Sequence, residues 1–323
     1  MDQWKSEMLA YIFRNDGQMI DLKQGLCIKY ENMPLKLYKY YSFSEYSKKN
    51  LLDGTIWLSF PESFNDPYDC ALTYSIMDLF NHGFTSELQD IFSNEWRDEE
   101  KLTNAEKNQI LNSEDTLTSF MSTIVNKNEE IKSAHKNEIK SEIYNGIHNA
   151  IYEMFKPLSD INKKSMVVSC FSELNDSMLM WSHYANCHKG FCLEYDFTSL
   201  PCSDIRTELL YPVIYQNDLL NVTQYMQIDV LKNNIFGLRA AITKSTEWEY
   251  EKEWRIVAPF ETDNVKEMAW CVPLPKSIYA GSKIKNDDYN FIRKYAEEND
   301  IELYQAKMNK NKFKIDFIRA NGT

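Results

Sequence analysis

Alternating apolar and charged positions are clearest in the stretch from Glu247 to Phe260. Aromatic and β-branched residues alternate there with charged ones, which predicts a β-strand ended by Pro259. On a strand without a bulge, every second side chain faces the same side, and this groups four carboxylates: Glu247, Glu249, Glu251 and Glu253. Like charges on one face repel each other. Either this face is the solvated edge of a sheet, or one or two of the acids are held for chemistry.

A second pattern, with a helical period, occupies residues 85–163. Gly and Pro are scarce in it, and apolar residues recur at helical spacing, as at Ile143, Ile147 and Ile151. The segment therefore predicts an inserted helical subdomain of roughly two to four helices. Its charges of both signs at helical spacing are typical of a solvated helix face.

Short runs with strand character lie on both sides of this helical segment. The first two are joined by a predicted short helix, for which Ser44 is the N-cap and Gly54 the C-terminal stop. The expected fold class is α+β, with a mixed or antiparallel sheet core interrupted by helices. The expected organisation has three parts: an N-terminal extension over 1–33, a split α+β domain over 34–84 and 164–323, and the helical insertion over 85–163.

Composition narrows the class of protein. The chain has 323 residues, of which 43% are hydrophobic and 26% charged, as in a globular protein. No apolar run reaches the roughly 20 residues of a membrane span, and the first residues lack the apolar core of a signal peptide. Seven scattered cysteines fit buried thiols in a reducing compartment. We therefore expect a cytoplasmic protein that does not contact membranes.

The net charge of −12 disfavours a broad phosphate-binding surface. A local basic groove could still hold one nucleotide or an RNA end. Small molecules and proteins are therefore favoured as partners over bulk nucleic acid.

Several signatures of enzymes are missing. The chain contains no Gly-rich phosphate loop, no dinucleotide fingerprint and no Gly-x-Ser-x-Gly elbow. These absences exclude phosphate-loop enzymes, Rossmann enzymes and ordinary α/β hydrolases. Cysteines and histidines between Cys170 and Cys202 lack metal-site spacing, so no metal site is predicted. His183 lies beside Trp181 and Tyr184, where it is a structural residue, a pocket residue or the base of a hydrolase.

The loop from Pro61 to Asp69 is built of turn-forming residues and carries Asn65 and Asp66 between two prolines. These side chains either bond their own backbone or contact a substrate.

Several short motifs are spread over about 35–281: Leu37-Tyr38-Lys39-Tyr40, Ser59-Phe60-Pro61, Phe64-Asn65-Asp66-Pro67, Cys170-Phe171-Ser172, Met180-Trp181-Ser182-His183-Tyr184-Ala185, Trp248, and Tyr250-Glu251-Lys252-Glu253-Trp254-Arg255. Together they resemble a bacterial domain-of-unknown-function family numbered 2971. This resemblance by itself names no activity.

Three of the segments are also similar, more distantly, to the ADP-ribosyltransferase fold. The strand, short helix, glycine turn and strand over 37–59 resemble its opening, with Lys39 in the place of a His or Arg. The strand with Ser169 and Ser172 resembles its second motif, although it is not Ser-Thr-Ser. The sequence Glu251-Lys252-Glu253 resembles its Glu-x-Glu motif, in which the second acid is catalytic.

The resemblance implies NAD as substrate and a role for each matched residue. Glu253 would hold the ribose hydroxyl and stabilise the sugar cation that forms as nicotinamide leaves, and Glu251 would position or deprotonate the acceptor. The remaining candidates would bind NAD or orient the acids: Lys39, Tyr40, Asn65, Ser169, Phe171, Ser172, His183, Tyr184 and Arg255. For Arg255, pairing with the acids is an alternative to contact with a phosphate.

The resemblance therefore implies an ADP-ribosyltransferase-like protein that transfers ADP-ribose from NAD to a protein or nucleic-acid acceptor. A bacterial toxin or phage-defence effector, with a cognate inhibitor or sensor protein, is the setting that the resemblance implies. Two alternatives stay open. One is a non-catalytic nucleotide-sensing or protein-interaction module of a defence system, and the other is a hydrolase that uses His183.

Overall fold

The structure is a computed structural model that describes residues 1–14, 20–93, 102–223, 225, 235–260 and 268–320. The chain forms two compact units, each built from separate segments. The first unit contains Met1–Ala71, Asn162–Leu219 and Gly237–Thr323, and the second contains Leu72–Ile161 and Leu220–Phe236. Within the described ranges, every helix is too short or too polar to cross a membrane.

The strands in chain order are β1 (Leu37–Tyr41), β2 (Thr55–Trp57), β3 (Leu72–Thr73), β4 (Met166–Ser172), β5 (Phe191–Tyr195), β6 (Leu210–Pro212), β7 (Ile214–Gln216), β8 (Leu220–Asn221), β9 (Thr243–Ser245), β10 (Glu253–Pro259), β11 (Ala269–Cys271), β12 (Ser277–Ala280), β13 (Glu302–Met308) and β14 (Ile315–Arg319).

The helices are α1 (Gln3–Ile12), α2 (Leu22–Glu31), α3 (Glu45–Asp53), α4 (Ile76–Ser93), α5 (Asn104–Leu111), α6 (Thr116–Lys127), α7 (Lys136–Phe155), α8 (Leu158–Lys164), α9 (Met178–His183), α10 (Ile205–Glu208), α11 (Ile235–Ala241) and α12 (Asn286–Glu298). Short 3₁₀ helices cover Pro61–Ser63 and Thr246–Glu251.

An eight-stranded sheet forms the centre of the first unit, in the order β14-β13-β12-β5-β1-β4-β10-β6. Its pairs are antiparallel except for β12 with β13, which run parallel. The remaining strands form two-stranded pairs: β2 with β11, β3 with β8, and β7 with β9. The predicted α+β class with a mixed, mostly antiparallel sheet is confirmed.

Alternation along the strands divides the core between the two faces of this sheet. Leu37, Leu193 and Trp254 are buried in a large cluster that also contains Ile292 of α12. Neighbouring positions contribute to a second, more aromatic cluster with Tyr38, Tyr40 and Tyr279 of the sheet and Trp181 of α9.

Two helices begin at serine N-caps, and the first of these caps and its glycine stop are those predicted from the sequence. Ser44 accepts a hydrogen bond from the amide of Ser47 at the start of α3, and Gly54 ends this helix with a φ of 63°. Ser177 accepts from the amide of Met180 at the start of α9. These short helices connect strands of the first unit and fix where the next strand begins.

The predicted extension over 1–33 is part of the first compact unit. The ring of Trp4 in α1 stacks on Trp254 of the central sheet at a centroid distance of 6.1 Å, and Met8 and Ile12 are fully buried. An amphipathic pattern shows that a helix has an apolar face, but it does not show which surface that face packs against. The sequence therefore could not distinguish an appendage from a core element.

The second unit is helical, and α4, α5 and α6 bury Leu88 and Ile110 between them. It differs in its limits from the predicted insertion over 85–163, because it starts at Leu72 and also includes 220–236. The parallel pairing of β3 with β8 joins these two parts of the chain. Residues 94–101 of the predicted insertion lie outside the described residues.

The prediction of one strand over 247–260 is wrong in its first half. Thr246–Glu251 is a 3₁₀ helix, Lys252 has a φ of 44°, and the strand starts only at Glu253. The four carboxylates therefore do not share one strand face. Glu247 and Glu249 are exposed, whereas Glu251 and Glu253 are 2% and 4% exposed. Since β10 lies between β4 and β6, it is not an edge strand either.

Candidate functional site

The central sheet opens between β1 and β4. β1 pairs with β5 along its whole length, and β4 pairs with β10 from Met166 to Ser172, but β1 meets β4 only at Tyr38 and Ser172. Beyond that pair the two strands have no common hydrogen-bond ladder. A gap in the middle of a sheet leaves backbone polar groups to be satisfied by side chains or by a ligand.

Lys39 spans this gap. Its Nζ donates to the Oγ of Ser169 at 2.9 Å and to the carbonyl oxygen of Cys170 at 3.0 Å, so a side chain of β1 takes the place of missing ladder bonds to β4. Burial lowers the pKa of Lys39 below its ordinary value, although the Cys170 thiol and Glu253 act in the opposite direction. Lys39 therefore combines a structural contact with an amine that loses its proton more easily than an exposed lysine does.

A cavity of about 210 Å³ lies at this opening. Its lining combines aromatic and other apolar side chains with small polar groups, carboxylates and lysines. The lining residues are Tyr38, Lys39, Tyr40, Trp57, Ser59, Phe64, Asn65, Asp69, Val168, Ser169, Cys170, Phe171, Met180, Tyr184, Lys244, Glu251 and Glu253. Of the predicted site residues, Lys39, Tyr40, Asn65, Ser169, Phe171, Tyr184, Glu251 and Glu253 therefore come together.

Glu253 is held by two cations. Arg255 Nε donates to its Oε1 at 2.8 Å and Arg255 Nη2 to its Oε2 at 3.0 Å, and Lys244 Nζ reaches the same Oε2 at 2.9 Å. Burial alone would raise the pKa of Glu253, but the charges of Arg255 and Lys244 outweigh it and lower the pKa to about 2. Glu253 is therefore ionised at neutral pH, and both of its oxygens are occupied.

Arg255 also binds Asp69, which lies in the loop before β3. Its Nη1 and Nη2 donate to the two carboxylate oxygens of Asp69 at 2.6 and 2.8 Å, and Nη1 also donates to the carbonyl oxygen of Ala241 at 2.7 Å. The arginine is fully buried, which requires such complete pairing. Of the two predicted roles for Arg255, the structure has the one in which it pairs with the acids, and it does not line the cavity.

Glu251 has a different environment. Tyr184 donates its hydroxyl to Oε1 at 2.7 Å, and Lys244 Nζ donates to Oε2 at 2.6 Å. Burial raises the pKa of Glu251, and the charge of Glu253 adds to the increase, against the effect of Lys244. The two glutamates are two residues apart in sequence, yet their pKa values move in opposite directions.

The remaining predicted residues lie beside the cavity rather than on its wall. The Oγ of Ser172 donates to the backbone carbonyl of Glu251 at 2.6 Å and accepts from the amide of Leu174 at 3.0 Å, so it positions the Glu251 backbone, not the side chain of Glu253. His183 is exposed and is absent from the cavity lining, and its ring contacts that of Tyr184 at 6.2 Å.

Sequence reasoning did not single out Asp69 or Tyr215. Asp69 is 3% exposed and pairs with Arg255, and the hydroxyl of Tyr215 accepts from the amide of Glu253 at 2.8 Å. The only local signal for Asp69 is its place at the end of a proline-rich loop. Its partner is 186 residues away, and no local pattern records such a pairing.

Neither a thiol nucleophile nor a metal centre is built here. Burial raises the pKa of the Cys170 thiol well above its ordinary value, with Glu253 as the second cause, so the thiol stays protonated. In the described part of the chain, no group of three His, Cys, Asp or Glu side chains is placed to hold a metal ion.

Residues 180–256, from α9 to β10, match a family model described as Protein of unknown function (DUF2971). The chain is similar to that family. The matched segment includes Tyr184, Glu251 and Glu253, and it supports the resemblance seen in the sequence motifs without adding an activity. No curated protein and no solved structure matches the chain. The resemblance to ADP-ribosyltransferases stays a prediction.

Proposed function

We propose that the protein cleaves the nicotinamide bond of NAD and transfers ADP-ribose to a macromolecular acceptor. The observation that supports this most is the pair Glu251 and Glu253, which face one cavity with pKa values shifted in opposite directions. Two carboxylates with different protonation behaviour are what a reaction needs when it requires both a fixed negative charge and a proton acceptor. Lys39 and Ser169, from adjacent strands, face the same cavity.

The proposed reaction breaks the bond between nicotinamide and the ribose C1 atom, and forms a bond from C1 to the acceptor. NAD⁺ and the protonated acceptor yield the ADP-ribosylated acceptor, nicotinamide and one proton. The ribose carbon passes through a state with cation character, which nearby carboxylates stabilise. Lys244 and Arg255 keep Glu253 ionised, so its negative potential is present before substrate binds.

The geometry favours different roles for the glutamates than those expected from the motif. Three hydrogen bonds from Arg255 and Lys244 occupy the oxygens of Glu253. This arrangement suits a residue that positions Lys244 and contributes negative electrostatic potential to the cavity. Glu251 accepts one bond at each oxygen and has the raised pKa, so we assign it the contact with ribose or acceptor and the transfer of the proton.

The size of the cavity limits which part of NAD it takes. Its volume of about 210 Å³ is below the roughly 300 to 1,000 Å³ of sites that enclose a drug-sized ligand. We therefore assign it the nicotinamide and its ribose, with the adenosine half outside the cavity. Phe171, Tyr184 and Tyr40 offer rings against which a planar pyridinium can stack.

The test incubates the protein with radiolabelled NAD and cell lysate and measures both released nicotinamide and labelled acceptor. Glu251→Gln should lower both by about 100-fold or more, because it removes the proton acceptor. Glu249→Gln is the matched control, since Glu249 is exposed two residues away and should have no effect. Activity that survives both Glu251→Gln and Glu253→Gln contradicts the assignment.

A second candidate function is a module that binds a nucleotide without turnover. It is favoured by the fact that protein groups already bond all four oxygens of Glu251 and Glu253. Calorimetric binding of NAD with no release of nicotinamide would support it over the transferase. The alternative hydrolase lacks such support, because His183 is exposed and outside the cavity lining.

A further inference from the structure

The hairpin between β13 and β14 ends in a fully exposed aromatic ring. Phe313 is 97% exposed, although large aromatic side chains are normally among the most buried. The turn that carries it is well bonded. Asn309 Oδ1 accepts from the amides of Asn311 and Lys312, each at 2.9 Å, and the amide of Asn309 donates to the carbonyl of Lys314 at 2.9 Å. The exposed ring is therefore held on an ordered turn.

The same hairpin is strongly basic in an acidic protein. Four lysines lie within residues 307–314, whereas the whole chain has a net charge of −12. These lysines are all exposed: Lys307, Lys310, Lys312 and Lys314. Lys314 has an ion pair with Asp316 at 3.6 Å, but no carboxylate of the described residues lies within ion-pair distance of Lys310 or Lys312.

We propose that this basic hairpin tip, residues 307–314, binds single-stranded nucleic acid. Phe313 would stack on one unpaired base, and the surrounding lysines would contact the flanking phosphates. A sequence-tolerant single-strand site combines aromatic rings on which bases stack with positive charges that contact the phosphates, and the hairpin tip has both. The proposal rests on the hairpin alone and is independent of the NAD chemistry.

Charge and shape favour this partner over a membrane or a duplex. Phe313 and Met308 are the large apolar side chains exposed within residues 307–314, and interfacial anchors need a larger apolar face in addition to basic residues. The bases of a duplex are already stacked, so an isolated ring gains less from it. The net negative charge of the rest of the chain repels an extended polyanion, so we expect such a partner to contact the basic hairpin tip.

The test titrates the full-length protein into a fluorescein-labelled RNA of about 12 nucleotides, and a DNA of the same sequence, and follows fluorescence anisotropy. Binding should weaken as salt is raised from about 50 to 200 mM. Phe313→Ala should lower affinity about 5- to 100-fold with an unchanged slope against salt, because it removes stacking only. The double variant Lys310→Gln, Lys312→Gln should make the slope of the logarithm of the binding constant against the logarithm of the salt concentration shallower by about 1.4. This is about 0.7 for each lost phosphate contact.

The chain offers matched controls for both variants. Tyr46 is 85% exposed, but its neighbours Lys48 and Lys49 are paired with Glu45 and Asp53, so Tyr46→Ala should leave binding unchanged. Removing the exposed charges of Lys276 and Lys283 with glutamine controls for net charge. Circular dichroism verifies that each variant is folded.

Three results would overturn the proposal. The first is the absence of binding to both oligonucleotides, and the second is binding that the hairpin variants leave unchanged. The third is preference for other partners: tighter binding to the duplex of the same sequence, or binding only to phosphatidylserine vesicles in a sedimentation assay that depends on Phe313.

Discussion

At the scale of single residues, Glu251 and Glu253 illustrate how position decides the protonation of a side chain. Both are almost fully buried, and burial by itself raises the pKa of a carboxyl group. Glu253 has the guanidinium of Arg255 along one side, which reverses that effect, whereas Glu251 shares only Lys244. Both acids contact Lys244, so the difference between them comes from Arg255, which bonds Glu253 alone of the two.

Lys29 is a second buried charge, and it leads to a prediction about pH. Its Nζ donates to the carbonyl oxygens of Thr207 and Glu208 at 2.7 and 2.6 Å, and burial lowers its pKa to about 7. The unfolded chain keeps a lysine pKa of about 10.4, so between these values the unfolded state binds the extra proton. The contribution of Lys29 to the free energy of unfolding should therefore rise from about pH 7 to about pH 10, by roughly 1.4 kcal/mol for each pH unit.

Urea unfolding at several pH values, in the wild type and in Lys29→Met, measures this contribution. The difference in the pH slope of the two proteins isolates Lys29 from other titrating groups. Lys5→Met is a suitable control, because Lys5 is a more accessible lysine that contacts Asp2. Equal slopes in the wild type and in Lys29→Met would contradict the prediction.

At the scale of elements, the packing of α1 on α2 depends on one residue without a side chain. A Cβ atom on Gly25 would clash with Cγ1 of Ile12 and would lie 3.3 Å from the Cβ of Tyr11. Since Ile12 is fully buried, it has little room to move away. The two helices therefore pack closely at Gly25, and Trp4 of the same α1 stacks on Trp254 of the central sheet.

We expect Gly25→Ala to destabilise the first unit by about 1 to 3 kcal/mol through overpacking. Gly146→Ala is the matched control, because a Cβ there meets nothing within 4 Å and the position is an exposed helix interior. That variant should stabilise its helix by up to about 1 kcal/mol, as alanine replaces glycine. Thermal unfolding of both variants measures the two effects, and a stabilising Gly25→Ala would refute the contact.

At the scale of the whole molecule, a buried ion network joins distant parts of the first unit. Asp69 follows the proline-rich loop, Lys244 lies on β9, and Arg255 lies beside Glu253 on β10. Removing one member leaves a buried charge without its partner. The network thus ties the positions of the loop and the two strands to one another, and three of its members, Asp69, Lys244 and Glu253, line the candidate cavity.

Asp69→Asn should therefore cost about 3 to 5 kcal/mol of stability, because Arg255 loses its bidentate partner. Added salt at about 1 M should leave this loss nearly unchanged, since buried pairs are poorly screened. Asp53→Asn removes a surface pair with Lys49 and should have little effect at any salt concentration. Chemical unfolding at low and high salt measures both, and a small, salt-dependent loss for Asp69→Asn would argue against a buried network.

Local sequence patterns determined much of this protein. The α+β class, the limits of α3 with its cap at Ser44 and stop at Gly54, and the start of α9 at Ser177 all follow from propensity and capping over a few residues. The motifs also identified Lys39 and the two glutamates, which the structure brings to one cavity.

Only the tertiary structure decided the rest. The separation of β1 from β4, the left-handed turn at Lys252 and the pairing of Asp69 with Arg255 depend on contacts between residues far apart in the chain. A run of alternating residues predicts an extended strand, but Thr246–Glu251 is a 3₁₀ helix whose last carbonyl oxygen accepts from Ser172, 79 residues away in the chain. The sequence specified which groups could serve a site, and long-range packing determined which of them were buried, paired and ionised.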